Sequence, residues 1–533
     1  MKRTLGIVLV VCALVACKKE GGGGDGKSPD LPASRAAAAG DFPDSPQLQF
    51  VPADTPYAFA TFKPVPMDYF RKWGAIMSPA LSKLRATPGE SGDKMRAILD
   101  EIGGPNGTFD LKHFEELGFS AKARMVVYGG MGVYPVARIE IADGDKVFAL
   151  VQRIAKRWGE DLPAAVEANG HRHWIIDAKH DVAAVVGISK SELVFAFAPR
   201  ALIDQNIGQI MGDQKPAKAI ATSQFKDIAQ RDGYSAQGVG FVDTGKLIGA
   251  VMEIAGTDKP PAACVAAIQT LATGVPRLTI GYDDFTGSKI AFGIVAELAP
   301  GVLADAKTLS TKLAGLDKVM KSHPAMGMAA AVDLSKLKGL APKAALVLRG
   351  LGQACQSEEM SSAADSLETK MSMMPPFLDG PAGAAFALND IKVTGRGMPE
   401  KMDGWLALHL KDTGELLSLA KSQLAGMDIT ADGKPHTLPS MLPFKGHFAA
   451  NKDTIALALG ANSESTVTDA LGGTPAPAPL FLMTFDYQKM GEMMAQDPTN
   501  TADLEMFKLF GVGVFQSGID DRGLYMWASI DMK

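Results

Sequence analysis

Three of the eight histidines, His171, His173 and His180, crowd around Asp177. On a strand, residues two apart point to one face, so His171 and His173 could offer two imidazoles to zinc or copper. A third ligand and a general base at productive spacing are missing. The pair is therefore only a weak metal candidate, and a wet strand face or hairpin rim is the plainer reading. Gly240-Phe-Val-Asp-Thr-Gly245-Lys246 has the outline of a phosphate-binding loop, but Leu247 stands where Ser or Thr would reach magnesium. Asp143-Gly144-Asp145, Asp283-Asp284 and Asp520-Asp521 could suggest calcium. They lack the spaced acids of an EF-hand and are expected at turns, where Asp and Gly serve the backbone. The chain contains no G-x-S-x-G, H-E-x-x-H or C-x-x-C. No catalytic residue and no cofactor is expected, which makes the protein a non-enzyme on this reading.

The stretches that position these residues are repetitive. Four share an apolar strand, a short break and an amphipathic helix, beginning at Tyr57, Val239, Met328 and Leu480. Three carry Asp-x-x-Lys, at Asp243/Lys246, Asp333/Lys336 and Asp486/Lys489. An Asp ending a strand can cap the next helix, accepting its unpaired N–H groups and meeting the positive end of its dipole.

Other elements recur in the same order. Strand, Asp turn and helix follow Ala137 and again Leu406, and short strands start at Leu193 and Ile455. Hairpins surround Asp283-Asp284 and Asp520-Asp521. Between matched positions the offset falls steadily, from 269 residues at Asp143/Asp412 to 237 at Asp283/Asp520. This order predicts a tandem duplication giving two pseudo-equivalent α+β lobes, residues 49–320 and 321–533. Hairpins and alternation such as Arg138/Ile139/Glu140/Ile141 imply mainly antiparallel sheet with covering helices.

The N-terminus fixes an address. Lys2 and Arg3 precede an apolar run, Leu5 to Val15, that is too short to span a bilayer, which is the anatomy of a secretory signal. Leu14-Val15-Ala16-Cys17 resembles the lipobox of bacterial lipoproteins. The resemblance implies cleavage of residues 1–16 and lipidation of Cys17, a multi-chain anchor that holds far better than one acyl chain. In the sorting rule of such lipoproteins, Lys18 rather than Asp implies the outer membrane, with the body facing the periplasm or the cell surface. Residues 17–48, rich in Gly, Pro, Ala and charge, read as a disordered tether reaching about 30 Å. The opening Val51-Pro-Ala-Asp-Thr-Pro-Tyr57 strand motif also resembles an uncharacterised group of exported bacterial proteins, which implies no activity.

With Cys12 in the signal and Cys17 lipidated, Cys264 and Cys355 remain as an even pair in an exported chain. A disulfide between the lobes is expected, with two buried free thiols as the alternative. Cys264 lies 21 residues after Asp243 and Cys355 lies 22 after Asp333, which suggests two versions of one unit.

Losing Lys2 and Arg3 with the signal takes the formal charge from −5 to −7, and no basic stripe appears, so nucleic acid is an unsuitable partner. Met is abundant, at 26, with clusters at Met371/Met373/Met374 and Met490/Met493/Met494 that suit either a core or an adaptable apolar surface. The first functional expectation is a non-enzymatic envelope lipoprotein, a binding or scaffolding module for an envelope protein partner. The second is a carrier or sensor of apolar, lipid-like ligands, and the third is a metal-dependent enzyme using the His171/His173 region.

Overall fold

The computed structural model describes residues 42–64, 111–157, 162–177, 181–254, 260–314, 322–393, 399–423, 430–438, 445–473, 475–495 and 504–533, with isolated positions in 66–102 and at 319. The signal, Cys17 and most of the tether lie outside the described residues, as does His180. Among the described residues no helix is long and apolar enough to cross a membrane.

The fold is α+β, and among the described residues nineteen strands form one sheet in which every pairing is antiparallel. In the N-terminal part these are β1 (Tyr57–Ala60), β2 (Met125–Met131), β3 (Tyr134–Glu140), β4 (Val166–Ala168), β5 (His171–Asp177), β6 (Val182–Ile188), β7 (Glu192–Pro199), β8 (Val239–Asp243), β9 (Arg277–Phe285) and β10 (Lys289–Glu297). In the C-terminal part they are β11 (Met326–Asp333), β12 (Pro381–Val393), β13 (Pro399–His409), β14 (His436–Thr437), β15 (Gly446–Ala450), β16 (Thr454–Leu459), β17 (Phe481–Asp486), β18 (Phe510–Ile519) and β19 (Gly523–Met532).

Neighbours across the sheet run β4-β5-β6-β7-β3-β2-β1-β8-β9-β10, then β19-β18-β17-β11-β12-β13-β16-β15-β14. Read inward from either edge the order is the same, with β4 as the one extra strand. The four sequence matches, β3/β13, β7/β16, β8/β17 and the hairpins β9–β10/β18–β19, occupy matching places in that order. The cysteine-bearing units do not: Cys264 follows β8, whose counterpart is β17, whereas Cys355 follows β11, whose counterpart is β1.

The halves meet through β10 and β19, paired from Lys289 opposite Asp531 to Glu297 opposite Gly523. A second tie lies beside it, where Arg522 donates to the backbone oxygen of Asp232 at 2.7 Å. Asp232 itself is buried and paired with Arg231 and the Thr279 hydroxyl. Tyr234 lies flat over the strands there, and Gly281 is required because a Cβ would come within 2.4 Å of its ring.

Helices follow the strands. In the first part they are α1 (Leu111–Glu116), α2 (Gly144–Arg157), α3 (Arg200–Met211), α4 (Thr222–Asp232), α5 (Thr244–Ile254), α6 (Ala262–Gly274) and α7 (Pro300–Lys307). In the second they are α8 (Leu334–Cys355), α9 (Glu358–Ser372), α10 (Gly414–Gln423), α11 (Ser463–Leu471), α12 (Tyr487–Ala495) and α13 (Glu505–Lys508). The capping expectation holds in detail. Asp243 accepts from the Lys246 N–H, Asp333 from Ser335 and Lys336, and Asp486 from Gln488 and Lys489.

Toward the outer strands both faces of the sheet are closed. In the N-terminal part α3 and α4, the latter through Phe225, seal one face over Val136, Val185 and Ala196, while α1 and α2, the latter through Leu150, seal the other over Ile139, Trp174 and Phe195. In the second lobe α11 packs on an alanine-rich face and α10 on Phe448 and Ala450. Two boundaries differ from those expected. The tether ends by residue 42, because Phe42 stacks on Phe62 and Gln47 and Leu48 are buried at a 3-10 turn, Pro46–Phe50. Leu313 and Val319, assigned to the first lobe, pack in the core of the second, since Lys312–Leu313 pairs with Ala476–Pro477.

The junction is testable at Gly523, where φ is +143° and a Cβ would sit 2.0 Å from the Ala296 carbonyl oxygen. Gly523→Ala should lower unfolding stability by about 3 kcal/mol from strain and overpacking, read as a lower urea midpoint. Gly249→Ala, a helix position with open space around it, serves as the control and should gain up to about 1 kcal/mol.

Candidate functional site

His171 and His173 do share one face of β5. Each is 6% exposed, and their rings lie 5.6 Å apart. His171 Nε2 is 3.0 Å from Asp213 Oδ2, and the Nδ1 atoms of both rings are buried without a hydrogen-bond partner. Burial, then the neighbouring His171, pushes His173 below the ordinary imidazole range. Burial works to raise the Asp213 carboxyl, but hydrogen bonds from His171 and Asn169 outweigh it and hold the group low. Asp177, at the strand's end, pairs with Arg200 at 2.8 Å and is no part of this cluster. Among the described residues no three His, Cys, Asp or Glu side chains are grouped to hold a metal. The wet-face reading is corrected too: the pair is an interior one, packed toward the loop after α3.

Beside it opens a cavity of about 710 Å3, walled by Asp143, Asp145, Glu167, His171, Arg172 and Lys190. Its charges are largely spent on one another and on the backbone. Arg172 reaches Asp145 at 2.5 Å and lies over the Phe148 ring, while Asp143 caps α2 through the N–H groups of Asp145 and Lys146. Ser189, the one hydroxyl on the wall, accepts the Glu192 N–H at 3.0 Å within its own turn. It is a turn residue rather than a nucleophile beside the His171–Asp213 pair.

The phosphate-loop outline dissolves in three dimensions. Gly240 lies inside β8, opposite Phe59 and Ile280, and Asp243 fills the helix end where an anion would sit. Of the aspartate pairs, Asp143 and Asp520 stand at turns. Asp283 and Asp284 instead lie within β9, where the register slips by one residue, and the hairpin turn is at 286–288.

Cys264 and Cys355 are joined at disulfide distance, with S–S 2.04 Å, linking α6 of the first lobe to α8 of the second.

The feature that sequence reading missed is the middle of the sheet. Opposite residues in an antiparallel pair share a face, so the register defines four rows across the junction. One runs Leu278, Ala296, Leu524, Ile519; the next runs Ile280, Ile294, Met526, Ser517, Phe481. The third runs Tyr282, Phe292, Ala528, Phe515, Met483, Met328, and the fourth Ile290, Ile530, Gly513, Phe485, Met326. None of these residues is charged. Ile280, Phe292, Leu524 and Met526 remain 39%, 42%, 40% and 42% exposed. On the same face Tyr487 of α12 lies against the Cα of Gly513, where a Cβ would be 2.9 Å from its ring, so a helix borders the field. Spanning β9 to β11 it covers six strands, about 25 Å at the usual strand spacing. The available signal was that β10 from Ile290 to Ala296 is apolar at both parities, as in strands covered on two sides, while β9 carries Leu278, Ile280 and Tyr282 and β19 carries Leu524, Met526, Ala528 and Ile530 on a single parity.

No family model, no curated protein and no solved structure matches the chain.

Burial also lowers His409, in the second lobe. For both His173 and His409 the folded pKa lies below the unfolded value near 6.5, so their contribution is fully present above that value and is lost as pH falls through the folded pKa. His173→Leu should therefore reduce proton uptake on unfolding by up to about one proton between pH 7 and 5. Urea midpoints across that range would show a flatter acid side; an unchanged slope would contradict the assignment.

Proposed function

We propose that the protein is a non-enzymatic cell-envelope lipoprotein, anchored in the outer membrane through Cys17, that binds apolar ligands of the acyl-chain class on the open face of its central sheet. The observation that carries this reading is the uncharged field across β9, β10, β19 and β18, with aliphatic and thioether side chains about two-fifths exposed at its centre. Soluble proteins seldom leave so broad an apolar area open, and such areas mark interaction sites. Thioethers and long aliphatics adapt to chains of varying length and unsaturation.

The tether supports an acyl-chain occupant. With Cys17 in a bilayer and the packed body starting at Phe42, the intervening chain reaches about 28 Å, so the face is held close to a reservoir of acyl chains. The strand order that reads alike from both edges supports a tandem duplication of one ancestral lobe. The β10–β19 junction would then be the place where two copies joined their edges, and the binding field would lie over it. The disulfide fits an exported, oxidising location.

Native mass spectrometry of the full chain, gently extracted from its own host, should show a reproducible non-covalent lipid. Met526→Glu, at an exposed position where the carboxylate can reach water, should keep the fold and weaken binding of a pyrene-labelled fatty acid by about tenfold or more, the scale of burying a charge in an apolar contact. Equal affinity in both proteins would sink the assignment. A co-purifying protein without lipid would move the reading to a scaffolding module.

A further inference from the structure

We propose that the Cys264–Cys355 bridge is a clamp that holds helix pairs of the two lobes together at one end of the apolar face and so limits how fast an apolar ligand enters and leaves. This rests on reading that face as the ligand site. The register places both helix pairs at the same end of the sheet. Asp243, from which α5 starts, is level with Arg277, Glu297 and Gly523. The row from Ile280 through Met526 to Ser517 continues through Phe481 of β17 to Ala330, three residues before Asp333, where β11 ends and α8 starts. There α5 packs on α6, α8 on α9, and the two pairs touch through α6 and α8.

Little besides the bridge secures this contact. Helix α5 has no buried residue, and α6 buries only Cys264 and Ala272. Helix α8 buries Ala341, Ala345, Leu351 and Gly352 out of 22 residues. Small side chains contribute little burial, so the hydrophobic hold of one pair on the other is weak. Meanwhile Val251 and Ile254 of α5, Leu271 of α6 and Leu346 and Val347 of α8 stay exposed, so the helix pairs leave much of their apolar surface unburied. Cys264 sits in the first turn of α6 and Cys355 is the last residue of α8, 91 residues on in sequence. The bridge thus ties the lobes at a point separate from the β10–β19 pairing. With it intact the helix pairs stay closed on one another; without it α5 and α6 are free to swing from their two strand attachments.

The test compares the oxidised full chain with C264S/C355S, using stopped-flow binding of a pyrene-labelled fatty acid and hydrogen exchange. Association and dissociation rates should both rise by about fivefold, as expected when a gating motion is released. Exchange in residues 244–254 and 262–274 should quicken by about tenfold or more while β9, β10 and β19 keep their protection. Unchanged rates with unchanged exchange would overturn the clamp. Absence of fatty-acid binding in both proteins would instead overturn the ligand site, and the exchange data would still decide whether the bridge restrains the helices. If the serine variant does not fold, the wild-type chain reduced with a phosphine and kept reduced serves in its place. The S–S bond then becomes two thiols, the phosphine becomes its oxide, and water supplies the oxygen and both protons.

Discussion

The molecule depends on one backbone interaction, the antiparallel ladder between β10 and β19. Each strand is the last of its half and would otherwise be an open edge, a row of unpaired N–H and C=O groups that invites association with other chains. By pairing the two edges the chain removes both and makes a single sheet. The strand orders on either side correspond, and because β10 and β19 are antiparallel, corresponding strands run in opposite directions. Thus α12 starts from β17 at one end, as α5 starts from β8 at the other.

The two faces of that junction are treated differently. On one, Gly281 and Gly293 make room for the Tyr234 ring, Asp232 is bound by Arg231 and Thr279, and Arg522 reaches across from the other half. Close packing and satisfied polar groups make this face rigid. On the other, six strands carry aliphatic, aromatic and methionine side chains that no described helix covers completely. The rigid face holds the backbone in register, which keeps the open face flat and continuous despite the poor burial of its side chains.

The polar clusters that attract attention in the sequence turn out to be internal supports. Arg138, fully buried, donates to Glu192 and to the Ile210 carbonyl and lies over the Phe50 ring. His171 secures the loop after α3 through Asp213, and Asp143, Asp243, Asp333 and Asp486 are spent on helix N-termini. These residues are tied to their neighbours, although the Nδ1 atoms of His171 and His173 stay without a hydrogen-bond partner.

Local features were legible in the chain because they depend on near neighbours. The Asp-x-x-Lys caps need three residues, the hairpins need a turn between two apolar runs, and the recurring order of elements needs comparison only along the chain. The three caps and the turn at Asp520 are found where the sequence placed them, while the helix expected after Tyr57 lies outside the described residues. The exceptions were also local in origin: Asp283 and Asp284 were read as a turn because a register slip inside a strand leaves no distinct signature. The start of the body was set too late because the Phe42 and Leu48 side chains are single apolar residues in a polar stretch. What the sequence determined by itself was the α+β composition, the capped units and the pairing of Cys264 with Cys355. Only the tertiary structure decided which edges meet, that His171 and His173 turn inward toward Asp213, and that the apolar residues of β9, β10 and β19 combine into one open field. The edge pairing and the field depend on register between segments more than 200 residues apart, as with Lys289 and Asp531, and the His171–Asp213 contact on a loop 42 residues away. No local propensity encodes such a choice; it emerges only when the whole sheet is assembled.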